Sequence, residues 1–185
     1  MYINNERVYP IGSGAFSDAY RVYSSDTVYV ITPLQGNTND YTKEIYTQTP
    51  KNPHIPDFEC ISSAIDIPGH GISALYRTYY YEPIPMLSLA FKHARKLQKA
   101  LLAIQPYAEE WDALDNSYRQ GEILLDHLHE NQDTYALPDT LITALTSIHT
   151  WATNYEYTCM FEFPIRNMKI HQGQLLLLDV VYFRY

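Results

Sequence analysis

What most constrains this chain of 185 residues is a change of hydrophobic period near Met86. Before it, apolar residues alternate in short runs broken by turn formers; after it they recur three and four positions apart. The early runs are "RVYPIG", "AFSDAYRVY" and "TVYVIT" (Thr27 to Thr32), then "IPDFECISSAIDI" and "GISALYRTYYYEPI" joined by "PGHG", Pro68 to Gly71. Alternation of this kind predicts five antiparallel strands. Between the third and fourth, "NTNDYTKEIYTQTP" has an Asn/Asp start and a stop at Pro50, which predicts one short helix.

Past "EPIP" the pattern is helical. "MLSLAFKHARKLQKALLAI", "YAEEWDALDNSYRQGEILLDHLHEN" (interrupted by Gly121) and "LPDTLITALTSIHTWATNY" predict three helices, the last begun by Pro138 and Asp139. A terminal hairpin follows: "NMKIH", a turn at Gln172-Gly173, and "QLLLLDVVYF". The expected fold class is therefore α+β, with a sheet-based lobe over residues 1–84 and a minimal helical lobe over 85–185 that carries a β-hairpin.

Composition excludes several function classes. A formal charge of −8 opposes binding to nucleic acid or anionic lipid through a global field. No apolar run approaches the roughly 20 residues that span a bilayer, and "MYINNERVYPIG" lacks a basic start followed by an apolar core. The chain is expected to be soluble and cytoplasmic. Cys60 and Cys159 stand far apart without a partner cluster and are expected as a buried, reduced pair. The histidines at 70, 93, 127, 129, 149 and 171 show no metal-ligand spacing, and surface or capping positions are expected for them. The run "KHARKLQK", Lys92 to Lys99, is read as a solvated helix face.

Two stretches carry chemistry. In "IGSGAFSDAYRV" the glycines Gly12 and Gly14 lie between strands, where missing Cβ atoms let backbone N–H groups approach phosphate oxygens. A glycine-bearing hairpin without a ligand has the same local signature. Far along the chain, "EFPIRN" sets Glu162 five positions before Asn167, and Asp179 follows twelve later, after the hairpin. An acid, an Asn five residues on, a short hairpin and an Asp form the spacing of a kinase catalytic loop, where the acid accepts a proton and the other two reach Mg²⁺.

With these stretches in this order, the chain resembles the protein-kinase-like fold, and is most similar to the small serine/threonine kinases of podoviral bacteriophages. "GSGAFSDAY", "DYTKEIY" and "FEFPIRNMKIHQGQLLLLDVVYF" carry the resemblance. It implies a two-lobed fold, a nucleotide loop made by Gly12, Ser13, Gly14, Ala15, Phe16 and Ser17, and Glu162, Asn167 and Asp179 as catalytic residues. Asn167 and Asp179 would be the Mg²⁺ ligands. ATP and Mg²⁺ are the cofactors implied if nucleotide is bound, and the setting is host cytoplasm with a host or phage protein as target.

The departures are specific. Thr32 stands where kinases place the strand lysine that meets the phosphates; Glu44 is a candidate remnant of its helix partner, and Arg21 a candidate substitute cation. Glu162 replaces Asp, and Met160 and Phe161 stand where the loop's His is expected. Arg166 is expected to pair with Glu162, with contact to a phosphate as the alternative. Only six residues follow Asp179, too few for an ordinary activation loop. Two readings result: a pseudokinase that binds and modulates a protein, and an active Mg-ATP-dependent serine/threonine kinase with atypical residues. The tyrosines of "YRTYYYEP", Tyr76 to Pro83, either line an adenine pocket or fill it.

Overall fold

The computed structural model describes residues 1–13, 17–34, 42–112, 119–154 and 158–184. It divides into two compact units: Met1–Gln48 with Asp57–Tyr80, and Thr49–Pro56 with Tyr81–Tyr185.

The first unit is built on an antiparallel sheet. Its strands are β1 (Tyr2–Ile3), β2 (Glu6–Ser13), β3 (Asp18–Val22), β4 (Thr27–Pro33), β5 (Glu59–Ile67) and β6 (Gly71–Tyr79), in the order β1-β2-β3-β4-β6-β5. The sheet has six strands rather than the expected five, because Asn4 and Asn5 both take left-handed φ (50° and 64°). Those angles close a two-residue hairpin that pairs Ile3 with Glu6. Between Pro10 and Gly12 the β2–β3 register slips by one residue. A bulge there suits Pro10, which has no N–H to give to a ladder. β5 is an edge strand broken by two register shifts and is mostly exposed.

Strand parity assigns the two faces. Val8, Val22, Tyr29, Ile31, Ile67 and Leu75 form the core of one face. Val30 and its cross-strand partner Tyr76 lie on the other. Helix α1 (Thr42–Gln48) covers that second face: Tyr46 stacks on Phe58, which meets Tyr76 edge-on.

In the second unit, α2 (Leu89–Asp112) buries Ala90, Ala94, Leu97, Ala100 and Ile104, one stripe at three- and four-residue spacing. Lys92, Arg95 and Lys99 are exposed, as a solvated face requires. α3 (Gln120–Glu130), α4 (Gln132–Tyr135) and α5 (Asp139–Asn154) follow, so this unit has four helices among the described residues rather than three. Gly121 starts a helix rather than interrupting one. A Cβ on it would come within 2.7 Å of the Cys159 carbonyl, so α3 approaches the chain there as only glycine permits. Two small sheets complete the unit: β7 (Glu82–Pro83), β9 (Met168–His171) and β10 (Gln174–Leu177), and β8 (Thr158–Phe161) with β11 (Val181–Arg184). The β9–β10 hairpin turns at Gln172 and Gly173, with φ 49° and 79°. Among the described residues no helix is long and apolar enough to cross a membrane.

Candidate phosphate and metal sites

In the second unit, the loop after β8 is fixed almost wholly by backbone. Glu162 donates its N–H to the Val180 carbonyl at 2.9 Å, and Asn167 closes a 3₁₀ turn by donating to Pro164 at 2.9 Å. The Asn167 carbonyl then accepts from Leu178 and Asp179, each at 3.1 Å. Two residues twelve positions apart are thereby joined at the base of the β9–β10 hairpin. Helices brace the same loop. Gln98 of α2 donates to the Phe163 carbonyl at 2.7 Å, and the Gln120 amide of α3 both donates to and accepts from the Phe161 backbone at 2.9 Å.

The side chains are disposed for polar chemistry. Glu162 and Asp179 are exposed and Asn167 is half-buried. The Asn167 amide nitrogen points its N–H at Glu162 Oε1, 3.5 Å away, which leaves its oxygen Oδ1 to a cation. Arg166 does not meet the expectation set for it: among the described residues it makes no ion pair with Glu162, which faces Asn167 instead.

In the first unit, Gly12 and Ser13 end β2 and Ser17 leads into β3, while Gly14, Ala15 and Phe16 lie outside the described residues. A Cβ at Gly12 would meet nothing within 4 Å, and its φ is not left-handed. Neither packing nor backbone conformation requires glycine there. Ser17 Oγ accepts a hydrogen bond from Lys43 Nζ of α1 at 3.2 Å. Thr32 is 3% exposed, and its Oγ1 has no hydrogen-bond partner among the described residues.

The other candidates separate. Arg21 pairs with Asp26 and lies over the Tyr80 ring, 4.1 Å from its centre. It stands four residues from Ser17 along the strand, about 13 Å at strand rise, too far to substitute at Thr32. Glu44 accepts from Gln48 one helical turn on. The tyrosines have separate partners: Tyr76 packs with Phe58, Tyr80 lies beneath Arg21, and Tyr81 meets His171 edge-on. Cys159 is buried, and burial pushes its thiol up to about 12, but Cys60 is exposed, so the expected buried pair does not exist. His93 is buried rather than superficial. Among the described residues no group of three His, Cys, Asp or Glu side chains could hold a metal.

Sequence reasoning passed over two basic residues that the fold buries. One is Lys43, 7% exposed. The other is His54, fully buried in the second unit. Its Nδ1 donates to the Leu175 carbonyl at 2.6 Å, so the neutral ring accepts at Nε2 from the Thr140 hydroxyl at 3.0 Å. Burial lowers its pKa, with the Leu175 bond pulling the other way. Lys43 lies within "DYTKEIY" but was given no role there, and His54 belongs to no motif; only Asn52 and Pro53, turn formers just before His54, mark a fixed loop. No protein-family model, curated protein or solved structure matches the chain.

Proposed function

We propose that the chain is a kinase-like protein that binds a magnesium nucleoside triphosphate and uses its fold mainly to bind and modulate a host or phage protein, with phosphoryl transfer weak or absent. The observation that carries the reading is the Asn167 carbonyl, which takes the N–H groups of both Leu178 and Asp179. It brings the two residue types that the kinase spacing requires for a hard cation to one place. Asn167 Oδ1 and the Asp179 carboxylate are oxygen donors, which suit Mg²⁺ with water and phosphate oxygens completing its shell. Bound there, Mg²⁺ would neutralise charge on the phosphates. Thr32 in place of lysine, and Glu162 one methylene longer than Asp, argue for weak transfer; a 1 Å displacement can cost about 10²-fold in rate.

A thermal-shift titration of the full chain with ATP, with and without Mg²⁺, tests this. Saturation at 100 times the dissociation constant stabilises by about 2.7 kcal/mol. The expected result is a Mg²⁺-dependent rise in melting temperature that Asp179→Asn removes. No rise up to millimolar nucleotide would sink the reading.

The exposed Glu162 carboxylate, on the same loop as Asn167, favours a second reading as an active serine/threonine kinase with Glu162 as proton acceptor. Radiolabelled phosphate transfer that Glu162→Ala and Asp179→Ala both abolish would establish it.

A further inference from the structure

The register of the first sheet places Ser17 beside the position where a cation is missing. The ladder's last pair is Asp18 with Ile31, so Ser17 and Thr32 are the next residue of each strand, just past the paired stretch and on the side of Ala19 and Val30. That face is the one α1 covers, since Thr32 shares parity with Val30 and hence with Tyr76, to which Tyr46 is linked through Phe58. Lys43 lies one turn before Tyr46 on α1, and its ammonium has already reached Ser17 Oγ, 3.2 Å away. The helix thus delivers a positive charge to the neighbourhood of Thr32 that the strand itself does not carry.

We infer that Lys43, projecting from α1, is the phosphate-binding cation of this chain, and that Lys43 Nζ with the hydroxyls of Ser17 and Thr32 forms an anion site for the phosphates of a nucleoside triphosphate. Three features fit. Thr32 Oγ1 is buried without a partner among the described residues, a hydroxyl able to donate to an incoming oxygen. Ser17, already accepting from Lys43, keeps its own O–H to donate. Gly12 leaves space at the end of β2 that no described residue fills within 4 Å. Asp18 and Tyr20 turn their side chains to the opposite face with His70, so the carboxylate next to Ser17 is directed away from it; Glu44, next to Lys43, stands close enough to Tyr76 and Cys60 to act on both.

The inference rests on the nucleotide-binding reading but fails separately from it. Binding of ATP, tripolyphosphate and adenosine to the wild-type chain is measured by calorimetry, then repeated with Lys43→Gln, which loses the charge but retains a donor for Ser17. Loss of one charge-assisted contact is expected to weaken ATP and tripolyphosphate about tenfold to a hundredfold, leaving adenosine unchanged. Lys43→Arg is expected to restore most of the loss. If Lys43→Gln binds ATP like wild type, the inference is overturned and the nucleotide reading survives. If wild type binds tripolyphosphate through Lys43 but not ATP, the anion site stands and the nucleotide reading falls. If wild type binds neither, both fall. Should Lys43→Gln not fold, Thr32→Val and Ser17→Ala keep the ammonium and remove the hydroxyls; unchanged ATP affinity in both overturns the site.

Discussion

The two units hold their candidate chemistry by different means. Around Asn167 and Asp179 the geometry is written in main-chain hydrogen bonds, which most side-chain changes leave alone. Around Ser17 and Thr32 it depends on one lysine side chain crossing from a helix to a strand end. A backbone-built site can lose its chemistry and keep its shape, whereas a site built from side chains loses both together.

The largest expected effect tests how firmly the second unit is pinned. His54→Ala removes a buried ring with two hydrogen bonds, to Leu175 and Thr140. A loss of about 3 kcal/mol is expected from the cavity and the unmet carbonyl together, read by urea denaturation. If stability is unchanged, the pinning is not what fixes the hairpin.

Gly121→Ala comes next. Its new methyl would meet the Cys159 carbonyl at 2.7 Å, and backbone cannot swing aside as a side chain can. Overpacking of this kind costs about 1–3 kcal/mol. A normal melting temperature would show that α3 has room to retreat from β8.

A pH effect follows from three histidines. Burial lowers the pKa of His54, His93 and His149 in the folded chain. Above the unfolded value of about 6.5 the rings are neutral in both states and contribute no pH dependence. As pH falls below it the unfolded chain takes up protons first, so stability declines with acid, by up to about 1.4 kcal/mol per pH unit for each ring. Melting curves between pH 7.5 and 5 read this decline, and His54→Gln should make it shallower.

The smallest expected change sharpens the comparison most. Asp179→Asn keeps the backbone bond to Asn167 and removes only the interactions of an exposed carboxylate, so unliganded stability should move by no more than about 1 kcal/mol. Loss of folding in that variant would show that side chains, not main chain, assemble the second site.

Much of this was legible in the sequence, where the signal is local. Alternation in "TVYVIT" and "GISALYRTY" gave strands, and the Gln172-Gly173 pair marked the last hairpin. The Asn4-Asn5 pair carries a similar signal, but the strand before it is only two residues long and shows no alternation. The strand β7 is equally short and exists because β9 pairs with it. Glu162, Asn167 and Asp179 were singled out by spacing, and the fold joins the backbones of the last two. Lys43 was not, because its meaning comes from register: it matters only once Ser17 stands beside Thr32. His54 was hidden for a related reason, since both bonding partners of its ring lie more than 80 residues away.

That distance has a consequence for how the chain is made. The stretch around His54 leaves the ribosome 121 residues before Leu175, which accepts the hydrogen bond from its ring. Chains emerge at about 5–20 residues per second, so the imidazole waits several seconds, solvated, for its acceptor. Sequence-distant closures are slow steps in folding. A nascent chain stalled before Gln174 should therefore hold residues 49–56 undocked and open to proteolysis, and release of the stretch that contains Leu175 should close them.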